Sequence, residues 1–554
     1  MSEKFTPEEE KNLAPFFTNL DRPVFGLRLP QEVAGALFSR YSRSTKSLRR
    51  TFLDEFLGDS ELALKELLGG EHPKHDQSQA LKKARAFYDR VLVGYGDDSV
   101  AQLGGAHIAC ENISNVAANI LEDARIGIAP LEKSTRYVRF DQKDERGEYL
   151  FYREPGIMAS RYRDEYLEVL NLLFETYSRQ LDPMIDSVRQ TLPIEAVELR
   201  DPQTGGALSY AAAQKDEKLK RWAESAYRAT VRAHACDVLR GYLPAATLTT
   251  VGFFGAGQAF EYLLTKLYSH ELTEMRELAA AMHRELDGLI PSFVKRAKIS
   301  EYLRETTSAT RAVATEIVRE APAKAAEAVA LVDYDRDAEE RVIAAILYPH
   351  LRHPLEQLRK LVAELSAAER RKILDEHLKR RRHRRDKPGR ALENVYYTFD
   401  ILGNLGLYRD LHRHRILTQE RQGFTTGHGY DTPSEIEEAG FKAEFDRCME
   451  RAAELYDKIY KAFPLEAQYV VPFAFKIRWY MKMNLREAVH IGELRTVPQG
   501  HPDYRKIVQL MWKEIQRVHP SLAGYAKFAD WNTYRLGRLQ SEMRSEYKKS
   551  AFRE

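Results

Sequence analysis

Apolar residues recur at steps of three and four along most of this 554-residue chain. The stretches "PQEVAGALFSRYSRSTKSLRRTFLDEFL" (30–57) and "DPMIDSVRQTL" (182–192) set them against charged faces, which predicts amphipathic helices. Three runs of β-branched and aromatic residues interrupt the pattern: "RPVFGLRL" at 22–29, "STRYVRFDQ" at 134–142 and "AVALVDYD" at 328–335. These are predicted strands. The expected fold class is α+β and helix-rich, with small mixed sheets flanked by helices.

The pattern also repeats. "VFGLRLPQEVAGALFSRYSR" from Val24 and "VALVDYDRDAEERVIAAILYPH" from Val329 share the order strand, charged turn, amphipathic helix. A chain of this length exceeds what one core usually serves, so two tandem domains are expected, 1–306 and 329–554. The Ala-rich charged segment 307–328 reads as a connecting helix with a short linker at Pro322.

Charge adds a limit: 85 basic against 82 acidic residues leave +3, so any anion site must be local. Cys110, Cys236 and Cys448 lack CxxC spacing, which fits a reducing, cytoplasmic setting. The acidic start "MSEKFTPEEEKNLAPFF" has no apolar signal core, and no apolar run is long enough to cross a bilayer. No membrane partner is expected. His350 and His353 have no third ligand nearby and read as satisfied structural residues, so no metal site is expected. "GYGDDSVAQLGG" lacks dinucleotide-fold spacing.

Sliding one half over the other aligns "ENISNVAANILEDARIGIAPLEKSTRYV" with "DILGNLGLYRDLHRHRILTQERQGFTTG", pairing Asn115 with Asn404 without a gap. Here the chain resembles the flavin-dependent thymidylate synthases, whose signature runs Arg-His-Arg, two residues, Ser, one residue, Asn-Glu, one residue, Ser, one residue, Arg-Tyr. The second half keeps the opening as Arg413, His414 and Arg415, with Thr418, Glu420, Arg421, Gly423, Thr425 and Thr426 departing from the rest. The first half keeps the close as Glu132, Ser134, Arg136 and Tyr137, with Ala124, Arg125 and Ile126 at the opening. Upstream, Glu393 is retained and Asn394 replaces a histidine that contacts flavin in the family. Downstream, Pro472, Asn484, Arg486, His490, Arg495 and Arg505 match, whereas the first half keeps Pro244, Glu274 and Arg276.

The resemblance implies a flavin side built from Arg413, His414, Arg415, Glu393, Asn394, Asn484, Arg486 and His490, and a nucleotide side built from Glu132, Ser134, Arg136, Tyr137 and Arg495. Guanidinium forks and hydroxyls suit a phosphate, and Ser134 and Arg136 on one strand would project to the same side. Tyr396, Tyr397 and Phe399 would wall the flavin. The implied reaction turns dUMP into dTMP with FAD, methylenetetrahydrofolate and NADPH, without a cysteine nucleophile, and no catalytic residue is assigned. Because the family builds its sites between subunits of a homotetramer, a duplicated chain would form a homodimeric pseudo-tetramer.

Each element also has a plainer reading. Arg413, His414 and Arg415 suit a solvated helix end paired with Glu420 or Asp410, Ser134 and Arg136 a polar edge strand, and Asn484 to Arg495 a charged helix surface. The family also admits a catalytically inactive duplicate that binds flavin or nucleotide as a sensor or scaffold. The run "KRRRHRR" at 379–385 reads as a solvated linker before a nucleic-acid surface, since it lacks interleaved aromatics.

Overall fold

The computed structural model describes residues 4–29, 31–41, 44–57, 102–318 and 327–551. Residues 94–101 of the "GYGDDSVAQLGG" run fall outside them, as does the Pro322 linker. The chain forms two compact units that do not follow the sequence halves. One comprises Met1–Glu111, Ile120–Glu132 and Thr250–Ala321; the other comprises Asn112–Asn119, Lys133–Thr249 and Pro322–Glu554. The middle of the first half is thus built into the same unit as the second half.

Among the described residues, strands β1 (Gly105–Ser114), β2 (Ile128–Glu132), β3 (Leu199–Arg200), β4 (Ala207–Leu208), β5 (Leu248–Ala256), β6 (Val329–Tyr334), β7 (Tyr396–Asn404), β8 (Leu417–Arg421) and β9 (Lys476–Asn484) make three small sheets. Their orders are β1-β5-β2, β3-β4 and β6-β7-β9-β8. Every pairing with a described register is antiparallel, where mixed sheets were expected.

In β7 the side chains alternate, so Tyr397, Phe399 and Ile401 are buried while Tyr396 is exposed. Their register partners on β9, Met483, Met481 and Trp479, are buried on the same face. Each such side chain contributes about 1.5–3 kcal/mol by leaving water. Tyr397 and Phe399 therefore belong to the core, and of the three aromatics expected at the flavin only Tyr396 faces out.

The predicted strand at 328–335 is present as β6, and the helix Ala338–Leu347 follows it. The matching run at 22–29 is not a strand. Leu27 makes an isolated bridge to Phe17, and Val24 is 83% exposed; Pro23 beside it offers no N–H to a ladder. The run 134–142 is not a strand; it opens with a turn over 134–138 and continues without regular structure. The N–H groups of Tyr137 and Val138 both donate to the Ser134 carbonyl, and the Ser134 hydroxyl accepts the Arg136 N–H at 3.2 Å. Such local bonding by a serine outcompetes a ladder.

The duplication shows most directly in the larger unit, where Pro244 and Pro472, matched in sequence, face each other as an isolated bridge. Around them Ala245 donates to the Val471 carbonyl and Phe473 to that of Leu243. Equivalent segments meeting antiparallel are what a two-fold relation between repeats requires. The helix Glu301–Val318 occupies the connecting stretch. Among the described residues, no helix is long and apolar enough to cross a membrane.

Candidate functional site

Four segments of the larger unit converge on two buried carboxylates. The helix Glu217–Leu239 starts where Asp216 accepts the N–H groups of Lys218 and Leu219 at 2.8 and 3.0 Å. Its last turn carries Asp237, and the 3-10 turn Arg240–Tyr242 follows with Arg240. The helix Leu405–Leu411, capped by Asn404, brings Arg409 and Asp410. The 134–138 turn supplies Arg136, and the last turn of the helix Leu485–Arg495 supplies Arg495.

Arg136 grips Asp237 with two nitrogens, Nε at 2.9 Å and Nη2 at 3.1 Å, and Arg538 Nη2 reaches the same carboxylate at 2.8 Å. Arg240 and Arg413 donate to Asp410 at 3.4 and 3.2 Å. The Arg136 and Arg495 guanidiniums lie 5.8 and 5.7 Å from the Tyr504 ring. Burial opposes ionisation of both carboxyls, yet the surrounding cations hold each well below the usual carboxylate range. Arg136, His501, Arg538 and Arg240 do so at Asp237, and Arg240, Arg136, Arg413 and Arg495 at Asp410. Burial likewise opposes the Arg136 charge, but Asp237 and Asp410 override it and raise its pKa. Arg240 and Arg495 are less well compensated, and burial lowers the pKa of each.

A second cluster adjoins through Arg495. Its Nε donates to His414 Nε2 at 2.9 Å, so the His414 proton sits on Nδ1, 2.9 Å from Glu487 Oε1. Lys387 Nζ donates to His490 Nδ1 at 2.7 Å. His414, Glu487 and His490 offer ligand atoms within 4.8 Å of one another, a group that the sequence alone did not suggest. Both His414 nitrogens are nevertheless engaged, and Lys387, Arg486 and Arg495 face the group, which suits proton holding better than cation binding. Burial pushes Glu487 up to about 7 and His490 down to about 4, the latter helped by Lys387 and Arg495.

This sets a pH test. Between about 4.5 and 7 the folded chain keeps a proton on Glu487 that the unfolded chain has lost, so this group's contribution falls as pH rises. His490 acts in the opposite direction between about 4 and 6.5. Glu487→Gln, a mimic of the protonated carboxyl, should therefore gain stability relative to the parent as pH increases from 5 to 8, by up to about 3 kcal/mol. Urea unfolding across that range checks it; a constant difference would contradict the assignment.

The expected site residues divide. Arg136, Arg413, His414 and Arg495 come together; Ser134 shapes the Arg136 turn, and Tyr137 is exposed beneath the Arg538 guanidinium at 4.7 Å. Arg413 pairs with Asp410, as the plainer reading expected, but Asp410 is buried and central. Glu132 ends β2, in the other unit. Asn484 caps its own helix by accepting the Glu487 N–H at 2.9 Å. Arg486 bonds the Pro388 carbonyl and Glu393, Asn394 donates to the Ala391 carbonyl, and Arg415 is exposed.

Asp237, Arg240, His501 and Arg538 went unrecognised in the sequence. The available signal was Arg240 standing four residues before Pro244, in a segment already matched between halves. The basic run is not simply a solvated linker, because Arg381 is buried and donates to Glu493 at 2.7 Å and to the Tyr525 carbonyl at 2.6 Å. His350 and His353 are exposed and not satisfied core residues. The three cysteines are buried, and burial pushes Cys110 and Cys236 up to about 11, far from a reactive thiolate.

One cleft borders the carboxylate centre, and a second includes Glu393, the partner of Arg486. A cleft of about 830 Å³ is lined by Asp237, Arg240, Asn404, Asp431, His501 and Asp503, among others. Another of about 530 Å³ is lined by Asp333, Asp335, Arg341, Glu393, Asn394, Tyr396 and Lys482. Both are of the size that takes small ligands and cofactors. Half-exposed Arg486 and His490 stand one helical turn apart, and exposed Tyr396 has Lys482 Nζ 6.0 Å from its ring. These donors and this aromatic face have the chemistry that a flavin needs.

Together these features define a duplicated, helix-rich α+β protein with a guanidinium-lined centre shared by its two repeats. The family profile described as "Thymidylate synthase complementing protein" matches residues 59–292 and 330–521, and the chain belongs to this flavin-dependent thymidylate synthase family. A Chlamydia pneumoniae protein described as a UPF0159 protein is 41% identical over 98% of both chains. A flavin-dependent thymidylate synthase from Sulfolobus acidocaldarius is 32% identical over 24% of this chain and 55% of its own. The Helicobacter pylori enzyme solved with FAD and dUMP superposes with a TM-score of 0.26 and 16% identity, over 35% of this chain and 97% of its own.

Proposed function

We propose that the chain is a flavin-dependent thymidylate synthase-type methyltransferase acting on dUMP at a composite site. The supporting observation is that Arg136, from the half-motif of the first repeat, and Arg413 and Arg495, from the second, share Asp410 as their counter-charge. Complementary half-motifs become intelligible if each repeat contributes to one working centre. Arg136 and Arg495 would bind the nucleotide, with Ser134 and Tyr137 shaping that side. Arg413, His414, Arg415, Asn394, Arg486 and His490 would hold the flavin, with Glu393 and Asn484 fixing their positions. FAD, reduced by NADPH, would supply hydride while methylenetetrahydrofolate supplies the carbon. Arg136 and the second-repeat arginines meet within one chain, and a homodimer would complete the pseudo-tetramer.

A second reading has its own support. Asp237 and Asp410 already engage these arginines, which suits a homologue that binds nucleotide or flavin without turning it over. Purified protein should show flavin bands on adding FAD, a spectral change on adding dUMP, and dTMP formation with NADPH and methylenetetrahydrofolate. Flavin and dUMP binding without dTMP would support the sensor reading, and a colourless protein that ignores both would exclude either.

A further inference from the structure

The family profile stops at residue 521, yet the chain continues for another turn-rich segment and the helix Leu539–Ala551. This extension enters the guanidinium centre. Arg505, inside the matched region, straps it down by donating Nε to the Thr496 carbonyl at 2.8 Å and Nη2 to the Asn532 carbonyl at 2.9 Å. The final helix packs on Glu217–Leu239, where the Trp222 and Tyr547 rings meet edge to face at 5.4 Å. Gly537 passes so close to the 498 peptide that a Cβ there would lie 1.9 Å from the Pro498 carbonyl oxygen. Only glycine fits this crossing, which sets Arg538 next to Asp237.

Two observations mark this centre as one that attracts an anion. Among the described residues, five guanidinium groups act on Asp237 and Asp410, those of Arg136, Arg240, Arg413, Arg495 and Arg538, and Arg409 stands beside Arg240. Arg240 and Arg538 are 4% and 5% exposed, and Arg240 Nη2 and Arg538 Nη1 are buried with no hydrogen-bond partner. A buried charged donor left unsatisfied is costly, so native structures leave few without a partner. Arg240 faces the 830 Å³ cleft, while Arg538 lines a pocket of about 20 Å³ that shares Asp237 and His234 with it. Such a pocket has room for about one oxygen atom.

We infer that Arg538, on the extension beyond the family-matched region, is an anion-binding residue of this centre, taking a phosphate monoester together with Arg240. The phosphate belongs to the nucleotide in the reading proposed above, on which this inference rests. The free nitrogens would donate to phosphoryl oxygens while Asp237 orients the Arg538 fork and Asp410 that of Arg240. The family-matched repeats alone would then form an incomplete phosphate site.

The full chain, with Arg538→Gln and Arg538→Lys, is tested by calorimetric titration with dUMP, deoxyuridine and inorganic phosphate. Thermal melts establish that each variant is folded; if the Gln variant is not, the Lys variant carries the same comparison, because a point charge on a shorter reach cannot restore the fork. The expected result is a 10- to 100-fold weaker dUMP affinity in the variants, loss of competition by inorganic phosphate, and unchanged deoxyuridine binding. Phosphate bound by the parent and lost in the variants, with no dUMP binding, would uphold the anion site and overturn the nucleotide reading. Equal dUMP affinity in parent and variants would overturn the role of Arg538 and leave that reading standing. Binding of neither ligand by the parent would overturn both.

Discussion

Asp237→Ala is expected to destabilise the larger unit by about 3–5 kcal/mol, the cost of breaking a buried ion pair from one side. Asp237 receives three hydrogen bonds within 3.1 Å, two from Arg136 and one from Arg538. Without it those guanidiniums face Arg240 and one another in a site with little access to water. The substitution also frees the Arg538 segment, so the last helix should lose hydrogen-exchange protection before the rest unfolds. Urea unfolding with intrinsic fluorescence measures the first effect. A change under about 1 kcal/mol would mean that the arginines relax to other partners and that Asp237 is not central.

The second large effect concerns ligand binding. Arg136→Gln should lower dUMP affinity by at least 100-fold and abolish any dTMP formation, while leaving FAD binding within a few-fold of the parent. Glutamine keeps the bulk but loses the charge and the planar fork that grips an oxyanion. Stability should fall less than in Asp237→Ala, since Arg538 still pairs with Asp237. The comparison Arg413→Gln should act on FAD and dUMP together, because Arg413 and Arg136 share Asp410. Loss of both ligands in Arg136→Gln would argue against separate nucleotide and flavin sides. Full dUMP affinity in that variant would remove the composite site.

Much of the architecture can be read from pattern alone, because helical periodicity and strand alternation are local properties. β6 with its helix, the gapless pairing of Asn115 with Asn404, and the matched prolines Pro244 and Pro472 all follow from sequence registers that hold without long-range information, whereas β1 and β7, the strands leading into those asparagines, were not among the predicted ones. Failures of this reading arose where local chemistry or a missing neighbour prevailed. Ser134 closed its own turn instead of letting 134–142 run as a strand, and 22–29 makes only an isolated bridge.

The candidate site divides along the same line. Arg136, Arg413, His414 and Arg495 were recognisable because each sits at a fixed spacing within one contiguous motif. Asp237, Asp410 and Arg538 acquire their roles only through contacts spanning 101, 170 and 301 residues of chain, which no local spacing encodes. The sequence by itself determined the repeat, the helix-rich α+β class and the half-motifs. Only the tertiary structure decided that both half-motifs meet around buried carboxylates within one unit, because desolvation and charge compensation depend on which segments exclude water together.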